Sequence, residues 1–143
     1  MNLQLDGEIA LVTGASRGIG AAIAQRLGRS GATVIGTATS DSGAGGITEA
    51  LAGAGITGRG MRLDVRDADQ IPALVADIAG AEGTPSILVN NAGITRDNLA
   101  MRMGDDDWDS VIETNLNAVF RVSRAVLRGM MKARHGRIIN IGS

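Results

Sequence analysis

This chain of 143 residues contains no cysteine and no tyrosine, and only one tryptophan, one phenylalanine, one histidine and two prolines. Without cysteine there is neither a disulfide nor a thiolate metal site, and no metal site of any kind is expected. Without tyrosine there is no phenolic proton donor. So few rings leave an aliphatic core of Ile, Val, Leu, Ala and Met, which a hydrophobic content of 44% is sufficient to fill. Neither sign of charge dominates. Fourteen basic against fifteen acidic residues give a net charge of −1, so nucleic acid and anionic membranes are not expected as partners. No apolar run approaches the roughly 18 residues of a membrane-spanning helix, and no basic-then-apolar leader opens the chain. A cytoplasmic protein is the expectation.

Glycine, by contrast, is abundant: there are 21, concentrated at the ends of periodic segments and without a repeat, which marks turns and close backbone approaches. Short runs rich in Val, Ile and Leu at 8–13, 33–38, 60–65, 86–90 and 137–142 read as strands buried on both faces. Helical periodicity fills the intervals at about 19–29, 43–54, 68–82 and 105–132. The third helix is expected to open on Asp67-Ala68-Asp69-Gln70 and to bury Ile71, Leu74, Val75 and Ile78. The fourth carries Asp105, Asp106 and Asp107 at its start and Lys132, Arg134 and His135 at its end, with Gly136 in position for a left-handed stop. Strands alternating with helices predict an α/β fold, a doubly wound parallel sheet of Rossmann type, with no internal domain boundary. The chain is expected to be the N-terminal, nucleotide-binding part (1–143) of a single domain, incomplete at its C-terminal side.

The most informative stretch is Thr13-Gly14-Ala15-Ser16-Arg17-Gly18-Ile19-Gly20, set between an apolar run and the start of a helical period. Such a turn presents backbone N–H groups and a positive helix end to a phosphate. Its glycine spacing, G-x3-G-x-G, differs from the commoner G-x-G-x-x-G. In dinucleotide-binding folds an acidic residue closing the second strand selects NAD by accepting the ribose 2′-hydroxyl. Here that stretch is Gly36-Thr37-Ala38-Thr39-Ser40, and the first carboxylate is Asp41. Small hydroxyls such as Thr39, with the guanidinium of Arg17, suit a 2′-phosphate instead.

The glycine turn together with Asn90-Asn91-Ala92-Gly93 resembles the short-chain dehydrogenase/reductase family, and the resemblance runs along the whole chain. Asn91-Ala92-Gly93-Ile94-Thr95-Arg96-Asp97-Asn98-Leu99, Met101-Arg102-Met103 and Gly136-Arg137-Ile138-Ile139-Asn140-Ile141-Gly142-Ser143 are similar to its ketoreductases acting on 3-oxoacyl thioesters. The resemblance implies an NADP (NADPH) cofactor held by Gly14, Ala15, Ser16, Arg17, Gly18, Ile19, Gly20, Thr39, Asp64, Val65, Asn91, Ala92 and Gly93. Asp64 and Val65, read as closing the third strand, would flank the adenine.

Catalysis would fall to Asn115, matching the family's relay asparagine, and to Ser143, matching the serine that bonds the substrate carbonyl. The family's proton-donating tyrosine has no counterpart here. The implied activity is NADPH-dependent reduction of 3-oxoacyl-[acyl-carrier-protein] to the 3-hydroxyacyl form in fatty-acid synthesis. Two alternatives stay open: reduction of acetoacetyl-CoA or another short-chain ketone, and a catalytically dead nucleotide-binding or oligomerising module.

Two surfaces suggest partners. Trp108, Val111, Ile112, Leu116, Val119, Phe120, Ser123, Val126, Leu127 and Met130 form an apolar stripe too wide for one sheet, which predicts a homotetramer, a dimer of dimers. Lys132, Arg134 and Arg137 could attract an acidic acyl carrier protein.

Overall fold

The computed structural model describes residues 4–91 and 105–141. Its elements run β1 (Ile9–Val12), α1 (Gly18–Arg29), β2 (Thr33–Ala38), α2 (Asp41–Gly53), β3 (Gly58–Arg62), α3 (Gln70–Ala81), β4 (Ile87–Asn90), α4 (Asp105–Ala133) and β5 (Arg137–Asn140). The five strands form one parallel sheet in the order β3-β2-β1-β4-β5. From β1 the chain steps outward to β3, then returns past β1 to start β4. The strand order reverses at that point, and ligands of open α/β sheets bind beside the carboxyl ends of the strands flanking such a reversal.

Alternation along the strands sorts the core into two layers. Ala10, Val12, Val34, Ile87 and Val89 point to one face and are covered by Ala24 of α1 and by Ile47 and Leu51 of α2. Leu11, Ile35 and Leu88 point to the other, against Ile71, Leu74 and Ile78 of α3 and Val122, Val126 and Met130 of α4. Most of these side chains are fully buried, so the period-2 pattern of the three central strands β1, β2 and β4 meets helices on both sides, as a parallel sheet requires.

At the β3 edge the Thr48 hydroxyl, on α2, accepts a hydrogen bond from the outward-facing Gly60 N–H at 2.8 Å. Arg59 of the same strand donates to the Glu82 carboxylate at 2.7 and 3.0 Å.

Several boundaries differ from expectation, three of them beside the carboxyl ends of the strands. α2 begins at Asp41, two residues before the periodicity suggests, because Ser40 caps it by accepting from the Gly43 N–H at 3.0 Å. α3 begins only at Gln70. Asp67 accepts from the Asp69 N–H at 3.1 Å and the Gln70 side chain at 3.0 Å, which holds those residues in a turn ahead of the helix. β3 ends at Arg62, so Asp64 and Val65 lie beyond the strand.

The end of α4 differs as well. The left-handed residue is Arg134, with φ of 54°, and not Gly136. The Arg134 N–H donates to the Met131 carbonyl at 3.1 Å and the His135 N–H to the Met130 carbonyl at 3.0 Å, the paired bonds of a Schellman stop. Gly136 answers a different need: a β-carbon there would stand 2.5 Å from the Met130 side chain. Because a side chain in the left-handed region is strained, Arg134→Gly is expected to raise stability by roughly 0.5–1 kcal/mol in urea titration.

At the amino ends of the strands, Glu8 joins three elements. Its carboxylate accepts from the Ser86 hydroxyl ahead of β4 and lies 2.5 Å from His135 Nε2 ahead of β5. The Ser86 hydrogen bond, seconded by His135, holds the Glu8 carboxyl below the ordinary carboxylate range against the opposing effect of burial. A carboxyl lowered on folding contributes stability above its unfolded pKa, and that contribution is lost as pH falls through the folded value. Ser86→Ala is therefore expected to shift the acid limb of the stability–pH curve to higher pH, read by thermal melts between pH 3 and 6, roughly the carboxylate range.

Candidate nucleotide-binding site

The carboxyl ends of β1 and β4 are joined by hydrogen bonds that also shape the glycine turn. The Thr13 N–H donates to the Val89 carbonyl at 3.0 Å. Asn91, just after β4, donates its main-chain N–H to Thr13 Oγ1 at 3.0 Å and its side-chain amide to the Gly14 carbonyl at 2.9 Å. On the other side of β1, the Thr37 hydroxyl accepts from the Gly14 N–H at 3.2 Å and the Thr37 carbonyl from the Ala15 N–H at 2.8 Å. The turn is thus fixed from both neighbouring strands.

Within it, Gly14 and Gly18 adopt φ of 65° and 61°, which a side chain would strain. Gly20 is required by space: a β-carbon there would lie 2.0 Å from the Gly14 carbonyl oxygen and 2.6 Å from the Asn91 amide nitrogen. Ala15 is buried, whereas Ser16, Arg17, Gly18 and Ile19 are exposed on the outer side of the turn, Ile19 at 63%.

Two helices start near this turn, and their amino ends differ. α1 has Arg17 at its cap position, no side-chain cap and no acidic residue in its first turn. α2 is capped by Ser40 and opens on Asp41. The α1 terminus therefore offers its N–H groups and positive dipole end to an anion, while α2 satisfies its own. The two lie side by side: a β-carbon at Gly43 would come within 3.8 Å of the Ser16 side chain. Thr39 is exposed at the end of β2. A cradle with two left-handed glycines, a third that admits no β-carbon and an uncapped helix end fits a dinucleotide pyrophosphate.

Asp64 and Val65 are half-buried. The Asp64 carboxylate accepts from the Arg66 N–H and Nε at 3.0 Å and from its Nη2 at 2.9 Å. The Arg66 guanidinium, then its main-chain N–H, holds this carboxyl below the usual carboxylate range.

Asn115 is half-buried on α4. It continues, at helical spacing, the line of Ala118, Val122 and Val126 that faces the sheet. Ala92, Gly93 and Ser143 lie outside the described residues, as do the side chains of Trp108, Val111 and Ile112.

A polar clamp beside the turn escaped the sequence reading. Asn90 is buried at the end of β4, and its amide donates to Asn140 Oδ1 at 2.9 Å and to Ser123 Oγ at 3.2 Å. It ties β4 to β5 and to the middle of α4. Thr37, next to last in β2, belongs to the stretch read as facing the ribose, but it is buried and its bonds go to the glycine turn. The available signal was the same for both: a polar residue inside an otherwise apolar strand must find a partner.

Comparison with known proteins agrees with this geometry. Residues 8–143 match the family model described as short chain dehydrogenase. The chain is 60% identical over 141 residues to the 3-oxoacyl-[acyl-carrier-protein] reductases of Pseudomonas aeruginosa and Vibrio harveyi. It is 57% identical over 141 residues to that of Escherichia coli. Each alignment covers 99% of this chain and 57% of the relative, so the chain spans little more than half the length of these curated proteins. The match over nearly all of the chain and the glycine cradle at the sheet's reversal point lead to one assignment: the chain belongs to the short-chain dehydrogenase family.

Proposed function

We propose that this chain is the cofactor-binding part of an NADPH-dependent reductase converting 3-oxoacyl-[acyl-carrier-protein] to the 3-hydroxyacyl product in fatty-acid synthesis. The observation that carries the reading is the uncapped α1 terminus behind a turn built for close phosphate approach, in a chain 60% identical to reductases of that name. NADPH would supply hydride. Gly14 to Gly20 and Asn91 would form its cradle with Ala92 and Gly93, Arg17 and Thr39 would meet the 2′-phosphate, and Asp64 and Val65 would flank the adenine. Asn115 would hold a water in the proton path, and Ser143 would bond the substrate carbonyl and favour charge developing on its oxygen. Reduction also needs a proton donor, and with no tyrosine among these 143 residues the proposed activity is that of a longer protein containing them.

Two surfaces support the proposed partners. Leu116, Phe120, Leu127 and Met131 are 64, 59, 43 and 68% exposed and fall along one side of α4. An apolar face of this kind favours self-association, and we assign it to a homotetramer interface. Lys132, Arg134 and Arg137 are exposed around the end of α4, where they would attract an acidic carrier protein. The reaction proposed acts on carrier-bound substrates in the cytoplasm.

Three outcomes test the reading. Titration calorimetry on the intact protein should give tighter binding of NADPH than of NADH, and Arg17→Ala should weaken NADPH by about 10-fold or more while changing NADH little, as expected for loss of a charge-assisted phosphate contact. Tighter NADH binding would refute the cofactor assignment. Gly20→Ala should abolish binding of both nucleotides by moving the Gly14 carbonyl and Asn91. Phe120→Glu should shift the assembly toward smaller species in light scattering, and an unchanged mass would exclude this face as the interface.

A further inference from the structure

Asp41 is the feature least suited to a 2′-phosphate, because it is the first carboxylate after β2 and begins the helix beside the glycine turn. The structure provides it with a partner from another strand. Arg62, the last residue of β3, is paired in register with Ala38, the last residue of β2, so its side chain leaves the sheet at the same end as Thr39 and Ser40. Arg62 Nη1 lies 3.8 Å from the Asp41 carboxylate. Both side chains are largely exposed, at 61% and 86%, and no other ion pair to either is seen among the described residues. As a stabilising contact such a pair is worth little. Its position gives it a different use.

We propose that Arg62 is a specificity-determining residue that acts through Asp41, cancelling a carboxylate that would otherwise repel the phosphate on the adenosine ribose. The inference rests on the NADPH reading and adds to it a residue outside the glycine turn. A carboxylate within about 4 Å of a bound phosphate in water would change the binding equilibrium about five-fold per unit charge. Unmasking Asp41 should therefore cost NADPH affinity several-fold and leave NADH, which lacks that phosphate, almost unchanged. A role in stability alone would weaken both cofactors alike or neither.

The test is calorimetric titration of NADPH and NADH into the intact protein and into Arg62→Gln, Asp41→Asn and the double variant. Arg62→Gln should raise the Kd for NADPH by about 3- to 10-fold with no matching change for NADH. In the Asp41→Asn background the same substitution should change the NADPH Kd by less than about two-fold, because no carboxylate remains to unmask. An undiminished loss in that background would overturn the inference and make Arg62 a direct phosphate ligand. No loss in the single variant, or equal losses for both cofactors, would overturn it too. Tighter NADH binding by the unsubstituted protein would instead defeat the cofactor reading, and this inference with it.

Discussion

Everything at the carboxyl edge of this sheet depends on the contact between Asn91 and the end of β1. β1 and β4 are adjacent in space but separated by the whole of α1, β2, α2, β3 and α3 in sequence. Three main-chain pairs hold their register. Beyond the last pair, Asn91 bonds the Thr13 hydroxyl and the Gly14 carbonyl, so the chain leaves β1 into the glycine turn with both groups already engaged. The close approach at Gly20 follows, since the first turn of α1 must pass the same Gly14 carbonyl. Packing, hydrogen bonding and glycine placement thus specify a single backbone path. A phosphate-binding loop needs that property, because donors held in place lose less entropy when the ligand arrives.

Much of this was legible from the residues. β1, β2 and β4 announced themselves as short aliphatic runs, because strands covered on both faces leave no polar side to confuse the pattern, whereas the edge strand β3 is Gly-Arg-Gly-Met-Arg and begins two residues before the expected run. The glycine turn was legible because its constraints act on main-chain atoms and leave glycine as the residue that fits. Residues whose role depends on distant partners were less so. Asn90 and Asn140 are 50 positions apart and meet only once β4 and β5 are in register. Arg134 takes the left-handed position expected of Gly136, and Gly136 is instead the residue that leaves room for Met130. Glycine content reports that the backbone is constrained nearby, without saying whether a dihedral angle or a neighbouring atom is responsible.

The two ends of the sheet use polar groups differently. At the amino ends, Ser86 and His135 both bond Glu8, so these groups are engaged in joining β1, β4 and β5. At the carboxyl ends, Ser16, Arg17 and Thr39 stand exposed around an uncapped helix. The polar residues inside the fold, Thr13, Thr37, Asn90 and Asn91, hold that exposed set in position. A buried amide or hydroxyl is costly unless bonded, and here each bond also constrains the backbone beneath the cradle.

The hydroxyl of Thr48 on the Gly60 N–H has a consequence for how chains of this kind coexist at high concentration. An exposed edge strand recruits strands from other molecules through its unpaired amides. At β3 one such amide is already occupied and α2 leans over the edge, so intermolecular β-sheet growth from that side is discouraged. β5, at the opposite edge, has Ile139 43% exposed and little covering among the described residues. The β3 flank of the sheet is therefore terminated by one of the chain's own side chains, and among the described residues β5 carries no such cap.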